Sequence, residues 1–221
     1  MHLPFRIYSA YKSIQDIASP EMIDAFEIAI KHSINNMDIF KGKTAIFADI
    51  SGSMNQTISN ESEVTCSEIA CLLISLSDYI CEEALSFTLD TSLHVASMSQ
   101  HNGIIANANL LNRPGGGANL TLGLKHLIAN NIKVDRILLL SDNEINQEYE
   151  HTKFAITTCE RFLTEYKKKI NPDVWFHGID LQGYGRQQFK GPNINIMAGW
   201  SDKVLDFIHT AEKSMNEGIS D

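Results

Sequence analysis

The stretch "AIFADISGSMNQ", Ala45 to Gln56, changes character in its middle. An apolar run ends in one aspartate, and two serines follow at alternate positions: Asp49, Ser51 and Ser53. An unbroken apolar run is what a parallel strand shows when helices cover both faces of its sheet. Its end is then the carboxyl end of a buried strand, the place where open α/β sheets bind ligands. A carboxylate and two hydroxyls there fit a helix cap, a nucleophile or an oxygen cradle for a hard cation.

The rest of the chain supplies the sheet. Strand-like runs are expected at Thr44 to Asp49, Ala84 to Leu89, Leu93 to Ser97, Arg136 to Ser141, Val174 to Asp180 and Ile194 to Met197. Helical spacing falls between them, at Glu63 to Glu83, Asn119 to Asn130, Glu150 to Lys169 and Ser201 to Met215. Ile69, Leu72, Leu73, Leu76 and Ile80 form one apolar helix face. "TLDTSLHV" (Thr88 to Val95) reads as a tight hairpin, so one edge strand should be antiparallel. The expected fold is α/β: a doubly wound, mostly parallel open sheet with helices on both faces. Residues 1–42 form an N-terminal joint segment before a domain of residues 43–221. In that segment Ser19-Pro20 starts a helix with Ile23, Phe26, Ile30 and Ile34 on one face.

Composition narrows the function. The 221 residues are 43% hydrophobic and 20% charged, ordinary for a soluble domain, and the formal net charge is −9. Nucleic-acid binding through the chain's own surface calls for a basic patch, so none is expected. Lys167-Lys168-Lys169 and Arg186 to Lys190 are short and read as solvated faces. Cys66, Cys71, Cys81 and Cys159 make no CxxC pair and no zinc spacing, so they are expected as reduced thiols in a cytoplasmic protein. No segment spans a bilayer, and the N-terminus lacks the apolar core of a signal peptide, so no membrane partner is expected.

A second strand-end aspartate, Asp142 in "RILLLSDNE", can lie beside the first in doubly wound order. Mg2+ prefers oxygen ligands and keeps several waters alongside one or two carboxylates. Capping accounts for a serine pair alone; two strand-end carboxylates and the glycine-rich "RPGGGANLTLGL" (Arg113 to Leu124) favour a cation. Enzymatic readings fare worse. A haloacid-dehalogenase-like phosphatase needs an acid two residues after its aspartate, where this chain has Ser51. A serine nucleophile needs a partner base, and GxSxG is absent. "SAYK" and "SDN" match penicillin-binding motifs, but Lys43-Thr44-Ala45 spoils the third and lies out of order. Gly115-Gly116-Gly117 lacks the Lys-Ser/Thr of a P-loop. No enzymatic activity is expected.

The Asp49-x-Ser51-x-Ser53 pattern resembles the metal-ion-dependent adhesion site of von Willebrand factor A domains. That resemblance implies Mg2+, Mn2+ or another divalent cation held by Asp49, Ser51, Ser53 and Asp142, with a threonine from the glycine-rich loop. Counting back from Gly123, Ala118 stands at the threonine position; Thr121 is the nearby candidate, and Asn119 is another oxygen donor. "LPFRIYSAYKSI", "GGGAN", "DLQGYGRQQF" and "GWSDKVLDFI" together resemble the C-terminal half of Ro autoantigen (TROVE) proteins. In that family a ring of helical repeats, for which this chain has no room, carries small noncoding Y RNAs. The resemblance thus implies a cation-dependent module for a protein partner offering an acidic residue, with RNA reached only through the ring. The alternative it leaves is a structural domain with a vestigial metal site that steadies the ring.

Overall fold

A computed structural model describes residues 4–35, 37–99, 101–142, 154–183, 191–201 and 203–217. Six strands form one sheet: β1 (Phe40–Asp49), β2 (Cys81–Leu89), β3 (Leu93–Val95), β4 (Arg136–Ser141), β5 (Trp175–Asp180) and β6 (Ile194–Ala198). Their order is β3-β2-β1-β4-β5-β6, with β2–β3 antiparallel and every other pair parallel. This is the expected doubly wound sheet with an antiparallel edge.

The helices are α1 (Pro4–Lys12), α2 (Pro20–Ile34), α3 (Cys66–Ile80), α4 (Ile104–Leu111), α5 (Thr121–Ala129), α6 (Phe154–Lys169) and α7 (Val204–Glu217). Alternation along β1 divides the core. Ile46 and Ala48 face a cluster built from α1, α2, α3, α4 and α7, while Ala45 and Phe47 face α5 and α6. Gly123 lets α5 approach the sheet closely: a Cβ there would lie 2.6 Å from the Phe47 ring. Phe5, Tyr8 and Tyr11 of α1 and Ile30 and Ile34 of α2 are buried in the first cluster. Phe5 meets Trp200 edge-on at 4.5 Å, which ties the start of the chain to the residues before α7.

Several boundaries differ from expectation for local reasons. β1 begins at Phe40, four residues early, and its register to β2 shifts between Phe40 and Lys43. Helix α3 starts at Cys66 rather than Glu63, because Thr65 and Glu68 form a reciprocal capping box. It stops at Ile80, and β2 follows with no intervening loop, so Cys81 to Glu83 belong to the strand. The α4 helix, "IIANANLL", was not anticipated: its apolar period is short, and its N-terminus is capped from outside. Glu27 of α2 accepts the amides of Ile104 (2.7 Å) and Ile105 (2.8 Å). The expected helix start at Glu150, the residues after Asp142 in "SDNE", and Arg186 to Lys190 lie outside the described residues.

Candidate metal centre

The centre is built where β1 and β4, neighbours in the middle of the sheet, run out. Asp49 is the last residue of β1, and Asp142 comes one residue after β4. Both are buried, at 1% exposure. The chain turns at once beyond Asp49: the Ser51 amide donates to Asp49 Oδ1 at 2.8 Å, and a short 3-10 turn, Gly52–Asn55, follows. Buried Met54 anchors that turn in the core. The turn leaves the Ser51 and Ser53 hydroxyl oxygens 3.2 Å apart, on one side, as their alternation predicted.

The glycine-rich loop is stitched to this turn by backbone. Gly115 N donates to Ile50 O at 3.0 Å, and Gly52 N donates to Gly116 O at 3.1 Å. Gly116 takes φ +65, a left-handed conformation that a side chain would strain, so the second of the three loop glycines is set by geometry. Ala118 is buried at 6% exposure. Thr121, first residue of α5, donates its hydroxyl to Asn119 Oδ1 at 2.7 Å, and the Asn119 amide donates to the Asp90 carbonyl at 2.9 Å. The threonine candidate is thus tied into the loop through Asn119, while Asp49, Ser51 and Ser53 are tied to one another.

Electrostatics mark Asp49. Burial pushes its carboxyl up to about 7, against hydrogen bonds from Ser51, and the charges of Asp142 and Asp90 push it further the same way. Two buried carboxylates within range of each other, plus two hydroxyls, are the donor set a hard cation prefers. Adjacent ligands in an octahedron of about 2.1 Å bonds sit about 3 Å apart, close to the spacing of the two serine oxygens. Among the described residues no group of three or more His, Cys, Asp or Glu could hold a metal, so a cation here depends on hydroxyls and water. The residues fit Mg2+ or Mn2+ and do not fit zinc.

Two acids at the same sheet end went unremarked in the sequence. Asp90 follows β2, and Asp180 ends β5, so strand-end aspartates stand in the order Asp90, Asp49, Asp142, Asp180 across four neighbouring strands. The signal was present: "FTLD" and "HGID" end apolar runs as "IFAD" does. Both are engaged in turns, Asp90 Oδ1 accepting from Ser92 N (2.7 Å) and Asp180 Oδ1 from Gly183 N (2.9 Å). Gln182 then bridges from β5 to the site's flank, donating to Thr57 O and Cys66 Sγ at 3.0 Å each.

The sheet order, the antiparallel edge and the strand-end acids define a von Willebrand factor A-like domain. Among solved structures it resembles the Ro (RSR) protein of Deinococcus radiodurans, with a TM-score of 0.67 at 13% identity. That likeness covers 86% of this chain but 39% of the Ro chain. The PilB minor pilin of Streptococcus sanguinis (a D319A mutant) matches at TM-score 0.49 and 12% identity, covering 83% of this chain and 63% of that one. Manganese-loaded TRAP of Plasmodium vivax matches at 0.45 and 16%, covering 78% and 74%. At these identities the likeness is one of fold. No family model and no curated relative matches the chain.

Proposed function

We propose that this chain is a cation-dependent binding module of a Ro-like protein, holding Mg2+ or Mn2+ through Ser51, Ser53, Asp49 and Asp142. The observation that carries the reading is the pairing of two buried strand-end aspartates with two hydroxyls 3.2 Å apart. Asp49 and Asp142 supply the attraction, and Ser51 and Ser53 orient the cation's outward side. The Thr121–Asn119 pair holds the neighbouring loop. A bound cation offers a Lewis-acidic position to a carboxylate oxygen of an acidic protein partner. The module itself takes no RNA, for which its net charge of −9 is unsuited. In a Ro-like protein a helical-repeat module would carry the small noncoding RNA.

Titration calorimetry with Mg2+ and Mn2+ tests the metal reading. Asp49→Ala is expected to abolish binding and Ser53→Ala to weaken it; equal affinity in wild type and Asp49→Ala contradicts the assignment. Buried Ala118, at the place of the family's threonine, favours a second reading, a structural domain whose site is vestigial. Wild-type protein that takes up no cation at millimolar concentration supports that second reading.

A further inference from the structure

The two edges of the sheet are finished differently. β3 is three residues long, closes a hairpin on β2, and carries His94 paired with Asp90 at 3.5 Å. β6 has five residues, Ile194–Ala198, with no charge and no proline, and pairs with β5 on one side. Among the described residues no strand covers its outer edge. Natural sheets blunt such edges with charge, proline, bulges or a cover, because unpaired backbone amides and carbonyls invite another strand.

Beside that edge runs a groove of about 510 Å3 between β6 and α7. Helix α7 turns Val204, Leu205 and Ile208 into the core. A different stripe faces the groove, Lys203, Asp206, Phe207 and Thr210, at helical i, i+3, i+4, i+7 spacing. Phe207 is 56% exposed there, an aromatic with no place in the core. Lys203 and Asp206, opposite charges three residues apart, stand on its N-terminal side.

We infer that β6 and the Lys203–Thr210 stripe form the interface of a two-fold dimer, and that the occupant of the edge is a second copy of this chain. Around a two-fold axis the second β6 lies antiparallel to the first, and the two sheets continue as one. The same axis sets the α7 stripes antiparallel. Lys203 of each copy then meets Asp206 of the other, and the two Phe207 rings close the groove between them. An isologous interface must be complementary to itself, and this surface is so in backbone, in apolar content and in charge. A foreign peptide needs the free edge but explains neither the charge pair nor its spacing. The inference is independent of the metal reading, since the interface lies at the sheet's edge and the metal residues lie at its centre.

Sedimentation velocity on the full chain, with EDTA present, tests it. Wild type is expected to pass from monomer to dimer with concentration by about 100 µM. Lys203→Glu and Asp206→Lys should each weaken the dimer about tenfold or more, and the double variant Lys203→Glu/Asp206→Lys should restore it. Phe207→Gln should leave a monomer with unchanged circular dichroism. A wild-type chain that stays monomeric throughout, or single charge variants that dimerise like wild type, or a double variant that fails to recover, overturns the inference.

Discussion

The two ends of the central strands treat buried charge in opposite ways. At the amino end of β4 and β5, Glu212 of α7 accepts from the Arg136 guanidinium, with Nε at 2.5 Å, and pairs with His177 Nε2 at 2.9 Å. Arg136 also reaches Lys41 O and Thr44 Oγ1 and lies over the Phe40 ring. Burial pushes the Glu212 carboxyl up, but the hydrogen bonds and charge of Arg136 and His177 outweigh it and hold it at about 2. Burial shifts His177 downward, against the hydrogen bond and charge of Glu212. At the carboxyl end, Asp49 is the more deeply buried of the two, its neighbours are hydroxyls, an amide and other acids, and its carboxyl rises to about 7. One cluster is complete within the protein and serves to dock α7. The other lacks a positive charge among the groups that set Asp49's titration, as the proposed cation reading requires.

The largest effect is expected at the amino end. Glu212→Ala strands a buried guanidinium, and removing one partner of such a pair costs about 3–5 kcal/mol. Urea unfolding of the variant should show that loss. Glu212→Gln sharpens the point through pH. A carboxyl held below its unfolded value stabilises the fold above about 4.5 and loses that contribution as pH falls towards 2. The stability gap between wild type and Glu212→Gln should be constant from pH 6 to 8 and close in that acid window.

At the carboxyl end the sign reverses. Asp49→Asn keeps the oxygen that accepts from Ser51 and removes a charge that burial disfavours. In EDTA at pH 8 it should therefore raise stability, by about 1–3 kcal/mol. A variant less stable than wild type under those conditions would mean that Asp49 is structural in the way Glu212 is.

This contrast also separates what the sequence showed from what it hid. "AIFADISGS" and "RILLLSD" announce the sheet, its strand ends and the oxygen donors, because apolar continuity and the alternation after Asp49 are local patterns. The Arg136–Glu212–His177 cluster joins residues 35 to 76 positions apart, and no local period signals it. α4 escaped notice because its cap, Glu27, comes from another helix far back in the chain. The place of Thr121 was equally hidden: its partner Asn119 and that residue's hold on Asp90 follow from the loop's fold, not from spacing.

Smaller effects sharpen the carboxyl end. Ala118→Thr places a hydroxyl in a buried spot, at the position where von Willebrand factor A domains carry a threonine. It should tighten Mn2+ binding by no more than about tenfold, or about 1.4 kcal/mol, read by calorimetry. Structured RNA should show no gel-shift with the isolated chain at physiological salt, since phosphate contacts call for basic surface and the chain's formal net charge is −9.

On the proposed reading, the carboxyl end holds one cation through Asp49. Electron paramagnetic resonance of Mn2+ added to EDTA-stripped protein reads it directly, because the free ion's signal falls as it binds. One bound Mn2+ per wild-type chain is expected, competed by Mg2+, and none at the site in Asp49→Asn, although that variant should be the more stable apo protein. Undiminished free Mn2+ with wild type, or equal uptake by both proteins, would contradict it.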